Sequence, residues 1–476
     1  MARARMSFLD RSEIQRVHGT TVRILSEVGV LIHSPYVRDL VEGAGCVRAK
    51  DGKRTLIPES VVKSAITGAS KSVLLASRDG KHDITVPAGR VHVANGGEGV
   101  FVKDLVTGES RSASSDDLRD FAIIVNELPE LDFFWPMVGA LEQPVRLKGI
   151  TELKVSLMFT TKHVQAMSTD AEEARWMVEL ASGLTGGEEE LAKRPIFSAV
   201  ECPISPLTFE KGLVEAQVEL ARAGIPVVAM SASVTGLTSP ITASGTIAQM
   251  NAENLASLVI SQAAKKGAPF IFSIDSSPGD LKTGSIDYGA LEVPLIRTGA
   301  GEMGRSYGLP TMVAGVGLEN LAHKMVNEWE GVPHMSIQSM VPSDLGAGFG
   351  GIDMATGASF EQLVADARVW RVAREFARDF DTGDEAISFE TIRDAGLDGN
   401  FLGKRHTVSR FRKEIIGSAV PEASLDLRMR EGAQGDLIRR AHEETRRILS
   451  RPKTPLVTRE EAAKMDRCLK ERTGRA

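Results

Sequence analysis

SDLGAGFGGIDMATGASFEQLVADARVWRVAREFAR, residues 343–378, decides the fold. It reads as a short strand, a glycine-rich loop and a long amphipathic helix. Phe360, Leu363, Val364, Ala367, Trp370, Ala373 and Ala377 recur at helical spacing and make one apolar face. Ser359 followed by Gln362 fits a capping box at the helix start. Gly346, Gly348, Gly350, Gly351 and Gly357 lie between strand and helix, where glycine lets a ligand approach the backbone. Seven upstream segments repeat the pattern, so this unit is the eighth.

Working outward, strands are predicted over 91–95, 132–137, 163–168, 196–202, 226–231, 269–275, 311–316 and 343–347. The helices that follow them are predicted over 115–128, 145–160, 171–183, 209–223, 248–265, 288–307, 321–340 and 360–380. Helix stops such as Gly224-Ile225-Pro226, Gly267-Ala268-Pro269 and Gly308-Leu309-Pro310 lead into new strands. Pro333 inside the seventh helix predicts a kink or a late start. Eight such units predict an α/β protein with a (β/α)8 TIM barrel over 91–380; a doubly wound open sheet is the alternative. Residues 1–90 read as an N-terminal α+β cap, with strands 72–77 and 82–86 around the turn Asp79-Gly80. Residues 381–476 read as a C-terminal helical extension with a charged, frayed tail.

Within 476 residues, 42% are hydrophobic and 25% charged, and the net charge is −6. That balance argues against a nucleic-acid partner, which asks for a basic patch. Neither a signal peptide nor an apolar run of membrane-spanning length is read, so a cytoplasmic location is expected. Cys46, Cys202 and Cys468 are too far apart to predict a disulfide framework or a CxxC metal site.

In a barrel, chemistry sits at the C-terminal strand ends. There the sequence places Glu98, Trp135, Glu201, Asp275, Glu319 and Phe349. Each has a plainer reading: Glu201 or Asp275 as a helix cap or an arginine partner, Trp135 as core, Cys202 as a small buried hydrophobe, His406 as a solvated loop residue. Four carboxylates on four strand ends are harder to set aside together. Two GxGxxG strings, 299–304 and 346–351, lack the strand-then-helix context of a dinucleotide site. No GxxxxGK[ST], HExxH or GxSxG occurs.

Several segments carry a family resemblance: Glu201-Cys202-Pro203-Ile204-Ser205-Pro206-Leu207, Leu237-Thr238-Ser239-Pro240-Ile241-Thr242, Gln249-Met250-Asn251-Ala252-Glu253, Tyr307-Gly308-Leu309-Pro310, Ala358-Ser359-Phe360-Glu361-Gln362-Leu363-Val364 and Asn400-Phe401-Leu402-Gly403. In these the chain resembles the trimethylamine methyltransferase family of corrinoid-dependent enzymes. The resemblance implies a (β/α)8 barrel and methyl transfer from a methylated amine to cobalamin on a partner corrinoid protein. The best-known members carry pyrrolysine; every residue here is standard, so the chain resembles the non-pyrrolysine branch, which includes enzymes acting on glycine betaine.

For a quaternary ammonium, aromatic faces and carboxylates are the expected receptors. The reading therefore assigns Glu98, Trp135, Phe349 and Glu319 to substrate, Glu201 and Asp275 to catalysis, and Gly348, Gly350 and His406 to the corrinoid. No metal site is expected. The chain has no DxHxxG motif, so the corrinoid is expected to arrive on a second protein. A homo-oligomer is expected from the family. A barrel enzyme using strand-end carboxylates as acid and base, and a non-catalytic betaine-binding protein, are the competing readings.

Overall fold

The structure is a computed structural model, in which residues 2–3, 6–315, 317, 328–341, 343–397, 399–415 and 433–473 are described. Its centre is one curled parallel sheet. The strands are β1 (His92–Asn95), β2 (Val164–Met167), β3 (Phe197–Glu201), β4 (Val227–Ser231), β5 (Phe270–Ile274), β6 (Thr311–Val313) and β7 (Leu345–Phe349). They pair in the order β2-β3-β4-β5-β6-β7-β1. The parallel register follows from the crossover helices α1 (Ser115–Glu127), α2 (Lys148–Phe159), α3 (Ala171–Thr185), α4 (Lys211–Ala223), α5 (Ala243–Ala264), α6 (Val293–Ser306), α7 (Glu328–Met340) and α8 (Phe360–Ala373).

Both faces of the sheet are apolar, as a parallel sheet covered on both sides requires. On β5, Phe270, Phe272 and Ile274 face the helices while Ile271 faces inward. Val200, Val228 and Ile271 are successive register partners and form part of an inner layer. The hairpin Val73–Leu75/Ile84–Val86 packs its valines and Leu75 against that layer. Thr208–Phe209 extends a small N-terminal sheet by pairing with Val30–Ile32, so the first ninety residues are tied to the central sheet.

The expected second strand is the main difference. Residues 132–137 join no ladder; Phe134 makes one isolated bridge to Val164. Proline lacks an N–H, so Pro136 can only accept, from Glu98 N at 2.9 Å. Trp135 N donates to the Asn95 side chain at 3.2 Å instead of to a strand carbonyl. The segment still bonds both edge strands: Asp132 N to Val93 O at 2.7 Å and Gln165 N to Phe134 O at 2.7 Å.

Helix boundaries moved where local chemistry demanded it. Thr242 caps α5, which starts five residues before the expected position, and accepts from Gly245 N. Pro294 sits in the first turn of α6, which therefore begins at Val293 rather than 288. The expected helix over 360–380 ends at Ala373; after a 3-10 turn, Asp379–Phe380 pairs with Ala2–Arg3. Only half of the capping box forms at α8. Ser359 Oγ accepts from Gln362 N at 3.2 Å, but the Gln362 amide goes to Asp366 at 2.7 Å. Asp366 in turn accepts from Gly350 N at 2.8 Å, fixing the loop between β7 and α8. Of the seventh expected helix, residues 321–327 lie outside the described residues.

The first GxGxxG string lies inside α6 and serves packing. A Cβ on Gly299 would come 2.8 Å from Ile247, and one on Gly304 2.7 Å from Phe272.

Candidate active site

The C-terminal strand ends surround a cavity of about 200 Å³. Glu98, Trp135 and Asp275 line it, with Tyr288, Met137, Met167, Met230 and Cys202. Its rim is largely backbone: Gly96, Gly97, Gly315, Gly317 and Gly348 all contribute.

Glu98 follows β1 in a left-handed conformation, φ 65°. Its carboxylate accepts from Lys148 Nζ at 3.1 Å, and the same ammonium lies 3.1 Å from Glu152 on the next turn of α2. Glu152 is 3% exposed and also accepts from Ala140 N at 2.8 Å. Burial, then the charge of Glu98, pushes the Glu152 carboxyl up to about 7, against the pull of Lys148. Burial works against the Lys148 charge, but the two carboxylates outweigh it and its pKa is raised. Two carboxylates thus share one ammonium, leaving this wall negative.

Trp135 is packed flat against Gly97, whose Cβ would come 2.3 Å from the indole. Only glycine allows that contact. The indole N–H has no hydrogen-bond partner.

Across the cavity, Asp275 continues β5 and pairs with Arg297 of α6 at 2.7 Å. Arg297 is 4% exposed. It also donates to Ser276 O at 2.9 Å, Gly315 O at 2.6 Å and Ser277 Oγ at 3.1 Å. Gly315, φ +69°, makes room: a Cβ there would fall 1.9 Å from the guanidinium. The guanidinium also lies 5.5 Å from the Tyr288 ring.

Glu201 ends β3 but is buried behind the cavity wall. One oxygen accepts from Ser168 Oγ at 2.8 Å and the other is unpartnered. Burial raises its pKa well above the ordinary carboxylate value, against the pull of the Ser168 hydroxyl. Burial, then the charges of Glu201, Asp275 and Glu98, pushes the Cys202 thiol up to about 12. It is a protonated wall residue, not a nucleophile.

The structure therefore brings together Glu98, Trp135, Asp275 and Gly348 of the expected site residues. Phe349 is turned away: it is fully buried, with its ring edge-on to Trp370 at 6.0 Å. A register shift between Gly346 and Phe349 moves it to the helix side of the sheet. Gly350 is required by its φ of +83°, and its missing Cβ leaves room for Leu363. His406 sits on the outlying helix Arg405–Glu414, away from the cavity lining. Glu319 lies outside the described residues.

Sequence reasoning missed Lys148, Glu152, Arg297, Tyr288 and the three methionines. Lys148 and Glu152 do stand four apart on a predicted helix, a readable pairing signal. Arg297 had none. The Gln249–Glu253 segment has a bracing role: Glu253 accepts from Leu207 N at 3.0 Å, Ser205 Oγ at 2.8 Å and Gln249 at 3.2 Å, and also from Ser231 Oγ.

The family model for trimethylamine methyltransferase matches residues 2–475. The chain belongs to the trimethylamine methyltransferase family. It is a methyltransferase. A trimethylamine methyltransferase of Desulfitobacterium hafniense strain DSM 10664 / DCB-2 is 28% identical over 92% of this chain and 88% of its own length. A glycine betaine methyltransferase of Desulfitobacterium hafniense strain Y51 is 23% identical, covering 98% and 97%. Among solved structures, the monomethylamine methyltransferase of Methanosarcina barkeri superposes with TM-score 0.51 at 11% identity, covering 97% of this family member and 92% of that chain. That likeness supports the fold. No helix among the described residues of this family member is long and apolar enough to cross a membrane.

Proposed function

We propose that this methyltransferase takes a methyl group from a quaternary amine of the glycine betaine type and passes it to the cobalt of a corrinoid on a partner protein. The observation that carries the reading is the cavity itself: two carboxylates and two aromatic side chains meet at the strand ends under a rim of bare backbone. A permanent cation has no N–H to donate, so it is held by charge and by ring faces. Glu98 supplies charge that Lys148 only partly offsets; Trp135 and Tyr288 supply faces; the methionines give soft, adaptable contact. We further propose that 132–138 closes the sheet into an eight-stranded barrel, supported by its bonds to both edge strands.

In the transfer, the donor C–N bond breaks and its electron pair stays on nitrogen. The amine leaves neutral and needs no proton from the cavity wall. A Co(I) corrinoid supplies the nucleophile that accepts the methyl group. Gly96 and Gly348 line the cavity with backbone alone, which suits the close approach of a flat macrocycle. The residues' task is to hold the donor methyl outward, in line with its acceptor.

The test mixes the purified chain with a panel of quaternary amines and a separately purified corrinoid protein in the reduced state. The expected result is stoichiometric demethylated amine by proton NMR, dependent on the corrinoid protein. Turnover without corrinoid, or tight donor binding with no product, would overturn the proposal.

A further inference from the structure

A second cavity, of about 250 Å³, lies at the other end of the sheet, by the N-terminal strand ends. Its walls come from separate parts of the chain: Arg78 beside the N-terminal hairpin, Thr185 at the end of α3, Glu190 and Arg194 just before β3, and Glu461 on the last helix, Arg459–Thr473. In a barrel that face ordinarily serves stability, so a cavity with charged walls there calls for a reason.

Two of its four charged side chains are already matched. Arg194 makes a fork with Asp83 at 2.9 and 3.1 Å, and Glu190 takes Lys193 Nζ at 2.7 Å. Among the described residues, neither Arg78 nor Glu461 has an ion partner within 4.0 Å. Arg78 donates from Nη2 to Thr160 O at 3.2 Å and Leu456 O at 3.1 Å, and from Nε to Thr160 O at 3.4 Å; its Nη1 has no acceptor among the described residues. Burial pulls the Arg78 pKa down, and the charges of Glu461 and Asp79 resist it. Glu461 is held below its ordinary value by the Thr458 amide first, with the Arg78 charge adding to it. The two charges thus act on one another across the cavity without meeting.

A molecule that carries both charges itself completes this pair. Its carboxylate matches the open edge of the Arg78 fork, and its cationic nitrogen lies against Glu461. A lone anion would meet Glu461 and Glu190, and a lone cation would meet Arg78 and Arg194; a zwitterion avoids both repulsions. The walls also select the nitrogen. Among the described residues no aromatic ring lines this cavity, whereas Trp135 and Tyr288 line the catalytic one. A quaternary cation finds no ring face here, but an ammonium bearing N–H can donate to Glu461.

We propose that this cavity is a binding site for a small zwitterion of the amino-acid type, held by Arg78 through its carboxylate and by Glu461 through an N–H-bearing ammonium. The occupant ties the last helix to the N-terminal hairpin. The site does not depend on which donor the catalytic cavity takes.

The test is calorimetric titration of the full chain with glycine and L-alanine, beside acetate and methylamine, which carry one of the two charges each. One saturable site per chain is expected for the amino acids and none for the single charges. Glycine at about 10 mM should raise the melting temperature by about 2 °C and slow amide hydrogen exchange in Arg459–Thr473. Glu461→Gln keeps an acceptor for the Thr458 amide, so the fold should hold while glycine binding weakens by about tenfold or more. Arg78→Lys, which keeps the charge but not the fork, should weaken it likewise. Glu98→Gln should leave glycine binding unchanged, which separates this site from the catalytic cavity. No saturable binding of either amino acid would overturn the proposal. So would acetate or methylamine binding as well as glycine, or glycine binding that survives Glu461→Gln.

Discussion

On one wall of the cavity, Glu98 shares a single ammonium with Glu152; on the other, Asp275 has a whole guanidinium to itself. Both walls present a carboxylate to the same space, but they are not equivalent. The Glu98 wall sums to one negative charge when both its carboxyls are ionised. The Asp275 wall sums to zero, and its cation is locked by two carbonyls and a serine hydroxyl as well. A donor cation would therefore be drawn to one wall and shaped by the other. Counting acids at strand ends does not reveal this; counting the cations behind them does.

Removing Arg297 should have the largest effect. Arg297→Leu would leave Asp275 without its cation and the Ser276 and Gly315 carbonyls without their donor. A cost of about 3 kcal/mol or more in folding free energy is expected, read by urea denaturation. Arg297→Lys should recover little of it, because one ammonium cannot reproduce a fork that serves four acceptors. Full stability of the lysine variant would mean the guanidinium geometry is incidental.

Glu98→Gln tests the other wall and should act on the donor rather than the fold. KM should rise about tenfold, the equivalent of ~1.4 kcal/mol, with kcat nearly unchanged. The substitution should also lower the Glu152 pKa, since the Glu98 charge is the second cause of its rise. A fall in kcat at constant KM would assign Glu98 a different task.

Glu152 makes the wall's charge depend on pH. Its folded pKa of about 7 lies above the ordinary carboxylate value, so the unfolded chain gives up the proton first. Stability should accordingly fall as pH rises from about 4.5 towards 7, by on the order of 3 kcal/mol. Over the upper part of that range the wall gains its charge, so donor KM should fall as pH rises through 7. Glu152→Gln should flatten both profiles; a KM profile that keeps its slope in that variant would place the titrating group elsewhere.

The same two walls show what the sequence could and could not disclose. All seven apolar positions of the face opened by Phe360 are buried, because a helical stripe depends only on spacing. The seven ladder strands fall within the expected segments or overrun them by two residues, as at Phe349. What was hidden depended on contacts between distant residues. The Asn95 side chain intercepts the Trp135 N–H and spoils a ladder strand. A one-place register shift takes Phe349 out of the cavity. Arg297 stands mid-helix with nothing local to distinguish it, yet it neutralises a carboxylate 22 residues earlier.

Glu201 should show the smallest effect, and it separates methyl transfer from acid–base chemistry. Its carboxyl is bonded to Ser168 and buried behind the wall, where burial disfavours its charge, so glutamine preserves its size and one acceptor. Glu201→Gln should change stability by less than about 1 kcal/mol and leave the pH dependence of turnover as it was. A hydrolase or lyase that drew its proton from this group would lose its activity and one limb of its pH profile in the same variant. A methyltransferase whose leaving amine departs neutral has no use for that proton.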